Sequence, residues 1–254
     1  MNSEPDSKKT RKMKKVDKSL QDSQTASGAT FTLAFLLMAI LFTVCLIASN
    51  LFETKIFAVG QLTLTGGLLV FPISYILNDV LVEVYGYHKA KLVIWTAFAM
   101  NLFVVLAAQI VRVLPSPEFW TEGEHFNFIF GFAPRITLAS MLAFVCGSTM
   151  NALVMSKMKI SSNGRRFWLR AVVSSLAGES LDSLIFFPIA FGAAVGMQEM
   201  FKMMIIQVVL KTLYEVVILP VTQFVVKRVK AYENIDTYDR GISYNPFSFR
   251  NIGR

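Results

Sequence analysis

Long apolar runs, separated by short polar segments, occupy most of the chain. A run of about 18 or more apolar residues is long enough to cross the hydrocarbon core of a bilayer as an α-helix. The pattern predicts six such helices in chain order, at residues 31–49, 65–82, 92–111, 136–156, 171–197 and 203–226. Pro72 is expected to kink the second helix, and the fifth is long enough to be tilted or broken near Pro188. The predicted fold class is therefore an all-α membrane protein with six transmembrane helices.

The polar segments divide the chain into three parts. Residues 1–30 carry seven Lys or Arg side chains and too few apolar ones to build a core, so they are predicted to be a disordered basic tail. Residues 31–228 form the membrane domain, and residues 229–254 form a C-terminal tail. Within the domain, residues 56–64 predict a short hairpin at the membrane surface, because β-favouring residues flank a Gly-Gln pair. Residues 113–133 are predicted to be a loop.

Composition and motifs narrow the class of protein further. Hydrophobic residues make up 54% of the chain and charged residues 17%, with a mean hydropathy of +0.52, which is too apolar for a soluble domain. Cys45 and Cys146 lie in apolar runs, so neither a disulfide nor a metal centre is predicted. The sequence has no phosphate-binding loop and no common hydrolase, metalloprotease or redox motif. Neither an enzyme, nor a bound cofactor, nor an ATP-driven pump within this chain is expected.

Basic residues are distributed unevenly between the two sides of the predicted membrane domain. Of the 25 Lys and Arg residues, twenty fall in the N-terminal tail, in the segment after residue 226, in the loop between the second and third helices, and in the loop between the fourth and fifth. These four segments share one side if six helices cross the membrane. Because cytoplasmic segments carry the excess of Lys and Arg, both termini are predicted to be cytoplasmic. The net charge of +8 is thus assigned to topology, and no nucleic-acid partner is expected.

Ionisable side chains interrupt three of the apolar runs. They are Asp79 and Glu83 in and just after the second helix, Glu179 and Asp182 in the fifth, and Lys211 and Glu215 in the sixth. Each costs about 2.5 to 3.5 kcal/mol at the centre of an inserted helix, so they are expected to face the interior of the bundle. Spacings of three or four residues place the members of each pair on one helix face. Three helices are therefore predicted to line one polar cavity.

Several of these positions also have a purely structural interpretation. Lys211 and Glu215 could neutralise each other within their helix, and Asp79 could lie at the membrane interface. Glu179 and Asp182 cannot neutralise each other, so they need a cation, a ligand rich in hydrogen-bond donors, or a proton. The fifth helix is therefore the strongest pointer to a ligand or coupling role.

Other polar residues are candidates for a gate or for supporting contacts around the cavity. Lys55, Glu83 and Arg135, at predicted helix ends, could be gate charges. Alternatively, Lys55 and Arg135 could anchor to lipid headgroups, and Glu83 could be solvated outside the membrane. Asn101, Asn151 and Gln207 could support the site or join helices through hydrogen bonds, which is their commoner use in membranes. A homo-oligomer stays open, since no dedicated dimer motif stands out.

One segment resembles a known family closely. Residues 71–86, FPISYILNDVLVEVYG, are similar to the signature of the queuosine-precursor transporters, the vitamin uptake transporter family of bacteria. Further matches are Asn50 with Lys55, Gly178-Glu179-x-x-Asp182-Ser183, Ile189-Ala190-Phe191, and Lys211 with Pro220. The resemblance covers about residues 50–230 and leaves the basic N-terminal tail outside it.

The resemblance implies import of a 7-deazaguanine base for tRNA modification through the bacterial inner membrane. The implied substrates are 7-cyano-7-deazaguanine, 7-aminomethyl-7-deazaguanine and queuine. A guanine-like edge offers two donors that one carboxylate can accept together, and an O6 acceptor that a lysine can meet. Glu179 or Asp182 is therefore hypothesised to hold the donor edge and Lys211 to approach O6. The full predicted binding set is Asn50, Phe71, Tyr75, Asp79, Glu179, Asp182, Lys211 and Glu215.

Roles within that set follow from chemistry. Phe71 or Tyr75 would cover the ring face of the base, while Asp79 and Glu215 would complete the site or carry a proton.

The family is thought to resemble the six-helix substrate-binding subunits of energy-coupling-factor transporters, which dock to an ATPase module through an Ala-x-x-x-Ala pattern on the first helix. Ala34 and Ala39 are five residues apart here, so a self-sufficient carrier, facilitated or proton-coupled, is favoured over a module-dependent one.

Two alternatives remain at the level of the sequence. The substrate could be another purine or vitamin, because side-chain inventory alone does not separate a deazaguanine from guanine. The chain could also be a non-transporting membrane protein whose basic tail binds acidic lipid or nucleic acid and whose buried charges only set helix register. In both transporter interpretations the partners are a small-molecule substrate and the lipid bilayer.

Overall fold

The computed structural model describes residues 31–52, 54–59, 62–131, 134–192 and 196–247. Within these ranges the chain forms seven α-helices and one two-stranded hairpin. In chain order they are α1 (Leu33–Phe52), β1 (Ile56–Val59), β2 (Leu62–Thr65), α2 (Phe71–Tyr85), α3 (Tyr87–Arg112), α4 (Gly123–Phe130), α5 (Pro134–Ser161), α6 (Phe167–Phe191) and α7 (Met197–Glu233). A short 3₁₀ helix, Gly66–Leu69, leads into α2.

Six of these helices are long and apolar enough to cross a membrane. They are α1, α2 together with its 3₁₀ lead-in, α3, α5, α6 and α7. Many large apolar side chains remain exposed on their outer faces, among them Leu37, Ile110 and Val217. A soluble protein rarely exposes so continuous an apolar surface, whereas a lipid bilayer solvates it. The predicted fold class, an all-α protein with six transmembrane helices, is confirmed.

The hairpin and the start of α2 refine the predicted second helix. β1 and β2 pair antiparallel, with Ile56 opposite Thr65 and Val59 opposite Leu62, as predicted from the β-favouring residues. The expected kink at Pro72 is wrong, because α2 begins at Phe71 and Pro72 stands in its first turn. A proline there removes a backbone N–H that has no partner within the helix, so it starts the helix without bending it.

Three other boundaries differ from the predicted ones. A short helix, α4, interrupts the segment predicted as a loop, since its aromatic residues recur at helical spacing. α6 continues through Pro188 but ends at Phe191, and α7 begins at Met197, so the predicted fifth helix was too long. Glycines on both sides of this junction explain the break, because glycine is a poor helix former.

α5 and α6 approach each other closely at a pair of glycines, Gly147 and Gly178. A Cβ added to Gly178 would lie 2.9 Å from the carbonyl oxygen of Gly147, and one added to Gly147 would lie 2.9 Å from that of Gly178. The ring of Tyr75 fills the same crossing, with its hydroxyl 2.6 Å from the position of a Cβ on Gly147. This close approach allows an α2 aromatic side chain to reach between the two helices.

Gly178→Ala is expected to destabilise the bundle, because its methyl group must displace backbone as well as Tyr75. Overpacking of this kind costs about 1 to 3 kcal/mol. Thermal unfolding of the purified protein in detergent would measure the loss. Gly196→Ala is the matched control, since a Cβ at Gly196 meets no atom within 4 Å, and it should leave the melting temperature nearly unchanged. Equal melting temperatures for both variants would contradict the close approach.

The C-terminal segment after α7 folds back against one end of the bundle. Asp239 accepts a hydrogen bond of 2.8 Å from the backbone N–H of Tyr87, where α3 begins, and Thr237 donates its backbone N–H to Val84. The ring of Tyr244 packs against that of Tyr87, with 5.1 Å between their centres. We call this end, which also holds the α5–α6 loop, the Glu83 end, and the opposite end the hairpin end.

Candidate functional site

Charged residues of α6 and α7 meet inside the bundle. The Lys211 Nζ atom lies 2.9 Å from Oε2 of Glu179 and 3.4 Å from Oδ2 of Asp182, and all three side chains are buried. Glu179 is midway along α6, so the cluster lies deep within the apolar layer. The structure therefore brings together three of the predicted binding residues as an interhelical ion cluster, centred on a lysine that faces two carboxylates of α6.

An aromatic surface from α2 borders this ion cluster. The Lys211 ammonium lies 4.1 Å from the centre of the Phe71 ring, within the range of a favourable cation–π contact. The ring of Tyr75 follows one turn later, 5.5 Å from that of Phe71. A planar ligand placed beside Lys211 would meet an aromatic face as well as charged groups.

A second pair of acidic residues, Asp79 and Glu215, lies one turn beyond Tyr75 on α2 and one turn beyond Lys211 on α7. Asp79 is fully buried, and Ser174 of α6 donates a hydrogen bond of 3.5 Å to its Oδ1 atom. Glu215 of α7 neighbours both Asp79 and Ser175 and interacts electrostatically with the Asp79 carboxyl. Carboxylates accept hydrogen bonds and do not donate them, so two that face each other are held together by a proton or a cation.

A network of amides and hydroxyls surrounds the acidic pair. Asn78 Nδ2 donates to the carbonyl of Ser148 at 3.0 Å and to Oδ1 of Asn151 at 2.8 Å. Asn151 Nδ2 in turn donates to the hydroxyl of Ser175 at 3.1 Å, which links α2, α5 and α6. Asn151 was among the predicted residues, whereas Asn78 and the serines were not. Asn78 directly precedes Asp79, and that polar pair within an apolar run was the available signal.

Among the side chains that the structure describes in the middle of the bundle, the charges do not balance. Asp79, Glu179, Asp182 and Glu215 bring four carboxyl groups, and Lys211 brings one ammonium. Uncompensated buried charge is strongly unfavourable, so this interior requires protons, a cation or a ligand rich in donors. Among the residues that the structure describes, no three His, Cys, Asp or Glu side chains are arranged to hold a metal ion.

Other predicted residues lie in different surroundings. Asn50 donates to the side-chain oxygen of Asn101 at 3.1 Å and accepts a hydrogen bond from Ser140, so these amides join α1, α3 and α5. Lys55 is exposed just before the hairpin, and Gln207 is half-buried one turn before Lys211. The side chain of Arg135 lies outside the described part of the structure, although its backbone lies in the first turn of α5.

Glu83 belongs to a separate buried ion network at the Glu83 end. Its carboxylate accepts hydrogen bonds from Arg170 at 2.6 Å and from Lys230 at 2.7 Å, and Lys159 lies 3.7 Å away. From the sequence, these three basic residues were predicted only to lie on the cytoplasmic side of the membrane. Lys159 and Arg170 are in fact almost completely buried, so they are structural partners of Glu83.

Fold and site together define a class of protein. Six membrane-spanning helices enclose charged and aromatic groups that converge deep in the bundle, which is the architecture of a small-solute carrier. A family model described as "Putative vitamin uptake transporter" matches residues 65–225, which is more than half of the chain. The chain belongs to this family of membrane transporters, and it is therefore not an enzyme.

Individual relatives carry more specific names. The chain is 31% identical over 150 residues to a "Probable queuosine precursor transporter" of Bacillus subtilis (strain 168), over 59% of this chain and 64% of the relative. It is 29% identical over 127 residues to the "Queuosine precursor transporter" of Escherichia coli (strain K12), over 50% and 55% of the two chains. A "Probable queuosine precursor transporter" of Haemophilus influenzae is 26% identical over 127 residues, covering 50% and 52%.

The chain matches between about half and two thirds of the length of these curated relatives. No solved structure matches the chain.

Proposed function

We propose that this chain imports a queuosine precursor across the bacterial inner membrane. The proposed substrates are the 7-deazaguanine bases 7-cyano-7-deazaguanine, 7-aminomethyl-7-deazaguanine and queuine. The names of the three relatives support this substrate class. The observation that carries the proposal is the buried Lys211, which lies between Glu179 and Asp182 and over the ring of Phe71.

The ion cluster offers groups complementary to a guanine-type edge. The N1–H and exocyclic amine of the base are two parallel donors, which one carboxylate of Glu179 or Asp182 can accept together. The O6 atom is an acceptor that the Lys211 ammonium can meet. The base would thus enter between ammonium and carboxylate and replace one ion pair with charge-assisted hydrogen bonds. The rings of Phe71 and Tyr75 would cover its face.

The same groups provide selectivity against adenine-type bases. Adenine presents an acceptor nitrogen where guanine has N1–H, and an amine where guanine has O6. One carboxylate oxygen would then face a lone pair, and Lys211 would face a donor. Sites built to pair with a substrate's polar groups reject an analogue that leaves them unpaired far more strongly than apolar pockets do. A guanine-type base is therefore the substrate class that the cluster fits.

Coupling is assigned to the carboxyl pair of Asp79 and Glu215. This pair lies one turn beyond Tyr75 on α2 and one turn beyond Lys211 on α7, and a proton shared between the carboxyls would remove their repulsion. Proton movement through this pair would couple uptake of the base to the proton gradient, and the chain would then act as a self-sufficient carrier without an ATPase module.

Topology follows from the distribution of basic residues. The Glu83 end, which holds the α2–α3 junction, the α5–α6 loop and the C-terminal segment, is proposed to face the cytoplasm. The start of α1 lies at the same end, because the ring of Phe35 packs edge-on against that of Tyr85. Both termini would therefore be cytoplasmic.

The transport proposal is tested by the queuosine content of tRNA. A bacterial host that neither makes the precursors nor carries its own importer would express this chain and receive each of the three bases in turn. We expect at least one base to restore queuosine in tRNA, and the Lys211→Met variant at equal membrane level to restore none. Failure with every base would contradict the proposed substrate class.

Direct binding can be followed at Cys146. Cys146 is half-buried on α5 and directly precedes Gly147. A Cβ added to Gly147 would lie 3.0 Å from Cβ of Asp182, so this part of α5 lies against the ion cluster. A base bound in the cluster should therefore hinder access to the thiol. In a Cys45→Ala background, Cys146 is the only thiol of the chain. We expect saturating substrate to slow its alkylation by roughly tenfold, which corresponds to about 1.4 kcal/mol.

A matched variant separates binding from other effects of the added base. Glu179→Gln in the same Cys45→Ala background removes one carboxylate of the ion cluster but leaves the thiol in place. It should show little protection by the same base. Equal alkylation rates with and without base in the parent protein would place the substrate elsewhere.

A further inference from the structure

The Glu83 end contains a buried ion network that takes no part in the proposed substrate site. A single carboxylate, Glu83 of α2, receives cations from three other helices: Arg170 of α6 at 2.6 Å, Lys230 of α7 at 2.7 Å and Lys159 of α5 at 3.7 Å. Glu83 and Arg170 are each 1% exposed and Lys159 is 2% exposed. Such a network is expensive to desolvate, and the structure forms it where four helices converge.

The C-terminal segment is joined to the same network. Lys159 donates hydrogen bonds to the carboxylate of Asp236, to the backbone carbonyl of Glu83 and, at 2.8 Å, to that of Thr237. Lys230 lies 2.8 Å from the carboxylate of Asp236. Burial raises the pKa of Asp236, but hydrogen bonds from the two lysines more than offset this and hold it below its ordinary value. The carboxylate thus stays charged at neutral pH and closes the network from outside.

The network is aligned with the ion cluster along two helices. Glu83 follows Tyr75 and Asp79 at successive four-residue steps on α2, and Arg170 precedes Ser174 by one such step on α6. On α6, Glu179 follows Arg170 by nine residues, about 14 Å at 1.5 Å per residue. That length is roughly half of the 30 Å hydrocarbon core of a bilayer. The Glu83 network therefore lies between the ion cluster and the Glu83 end of the bundle.

We propose that the Glu83 network is the closed gate of the transport pathway on the cytoplasmic side. The inference rests on the proposed function, because a base that leaves the ion cluster toward this end must pass between α2, α6 and α7 where Glu83 holds them together. The gate is closed while Glu83 binds its three cations. It opens when these groups separate and water hydrates each of them.

Cysteine accessibility tests the gate without any substrate. In a Cys45→Ala/Cys146→Ala background, Ser174→Cys places a reporter one turn inside the gate at a completely buried position. Membrane-impermeant thiol reagent would be added to inverted vesicles, in which the Glu83 end faces the reagent. Ser243→Cys, exposed in the C-terminal segment, reports the orientation of each preparation. We expect Glu83→Gln to speed labelling of Ser174→Cys at least tenfold in inverted vesicles and not in right-side-out vesicles.

A matched control separates gating from general loosening of the bundle. Glu179→Gln also neutralises a buried, lysine-paired carboxylate, but it lies away from the gate, so it should leave labelling from the Glu83 end unchanged. Glu83→Asp keeps the charge and should stay near the parent rate. Three results would each contradict the proposed gate. The parent and Glu83→Gln could be labelled at equal rates, Glu83→Gln could be labelled faster from both sides of the membrane, or Glu179→Gln could show the same acceleration.

The outcome is independent of the substrate assignment. A failed tRNA assay together with accelerated labelling in Glu83→Gln would remove the queuosine precursor and keep the gate. A successful tRNA assay with unchanged labelling would keep the transporter and remove the gate.

Discussion

Lys211→Met is expected to reduce uptake of the 7-deazaguanine base by at least one to two orders of magnitude. The change removes the ammonium that is proposed to meet O6, and a hydrogen bond to a charged group contributes about 1.5 to 3 kcal/mol, or roughly 10- to 100-fold in affinity. It also leaves Glu179 and Asp182 without their lysine. Methionine keeps a similar length and apolar stem, so the helix packing should be retained.

Controls for this prediction come from the same helix and from its acidic partners. Lys202→Met removes an exposed cation of α7 and should transport like the parent protein. Asp182→Asn should be impaired, because it weakens the acceptor side of the cluster. Initial uptake rates must be compared at equal levels of protein in the membrane. Parent-like transport by both Lys211→Met and Asp182→Asn would remove the proposed site.

Asp79→Asn and Glu215→Gln are expected to abolish proton-driven accumulation and to retain exchange of substrate. Each amide fills the space of the carboxyl but cannot release a proton, so the coupled step is lost while the ion cluster can still bind the base. The measurement compares accumulation driven by an imposed pH gradient with counterflow, in which internal unlabelled base drives entry of labelled base. We expect accumulation to fall to the level seen with a protonophore and counterflow to continue.

Glu124→Gln is the matched control for this second prediction, since Glu124 is an exposed carboxylate on α4 and should change neither measurement. Normal accumulation by both Asp79→Asn and Glu215→Gln would exclude the pair as the coupling site. Loss of counterflow in both would assign the pair to substrate binding instead.

The fold was predictable because its main signal is local. Length and apolarity identify a membrane-spanning helix without knowledge of its neighbours, and the six predicted runs correspond to six observed helices. The shared faces of Glu179 with Asp182, and of Lys211 with Glu215, were also readable from helical spacing. The cost of burying charge then indicated that these faces point inward, which is where the structure places them.

The contacts that the sequence did not predict join distant residues. Glu83 pairs with Arg170 and Lys230, which lie 87 and 147 positions away, and local periodicity carries no information about such partners. The same is true of Asn78 and its acceptor on Asn151, 73 positions away. Charge counting treated the basic residues alike as markers of topology, and it could not tell a solvated loop cation from a buried one such as Lys159.

Uptake by proteoliposomes that contain only this purified chain tests the proposed function most directly. Labelled 7-cyano-7-deazaguanine, 7-aminomethyl-7-deazaguanine and queuine would be supplied in turn under an inward proton gradient, with unlabelled guanine and adenine as competitors. We expect saturable uptake of at least one base without any ATPase, inhibition by guanine exceeding that by adenine, and loss of uptake in Lys211→Met. Absence of uptake for all three bases by well-folded protein, or equal uptake by Lys211→Met, would contradict the proposed transport through this site.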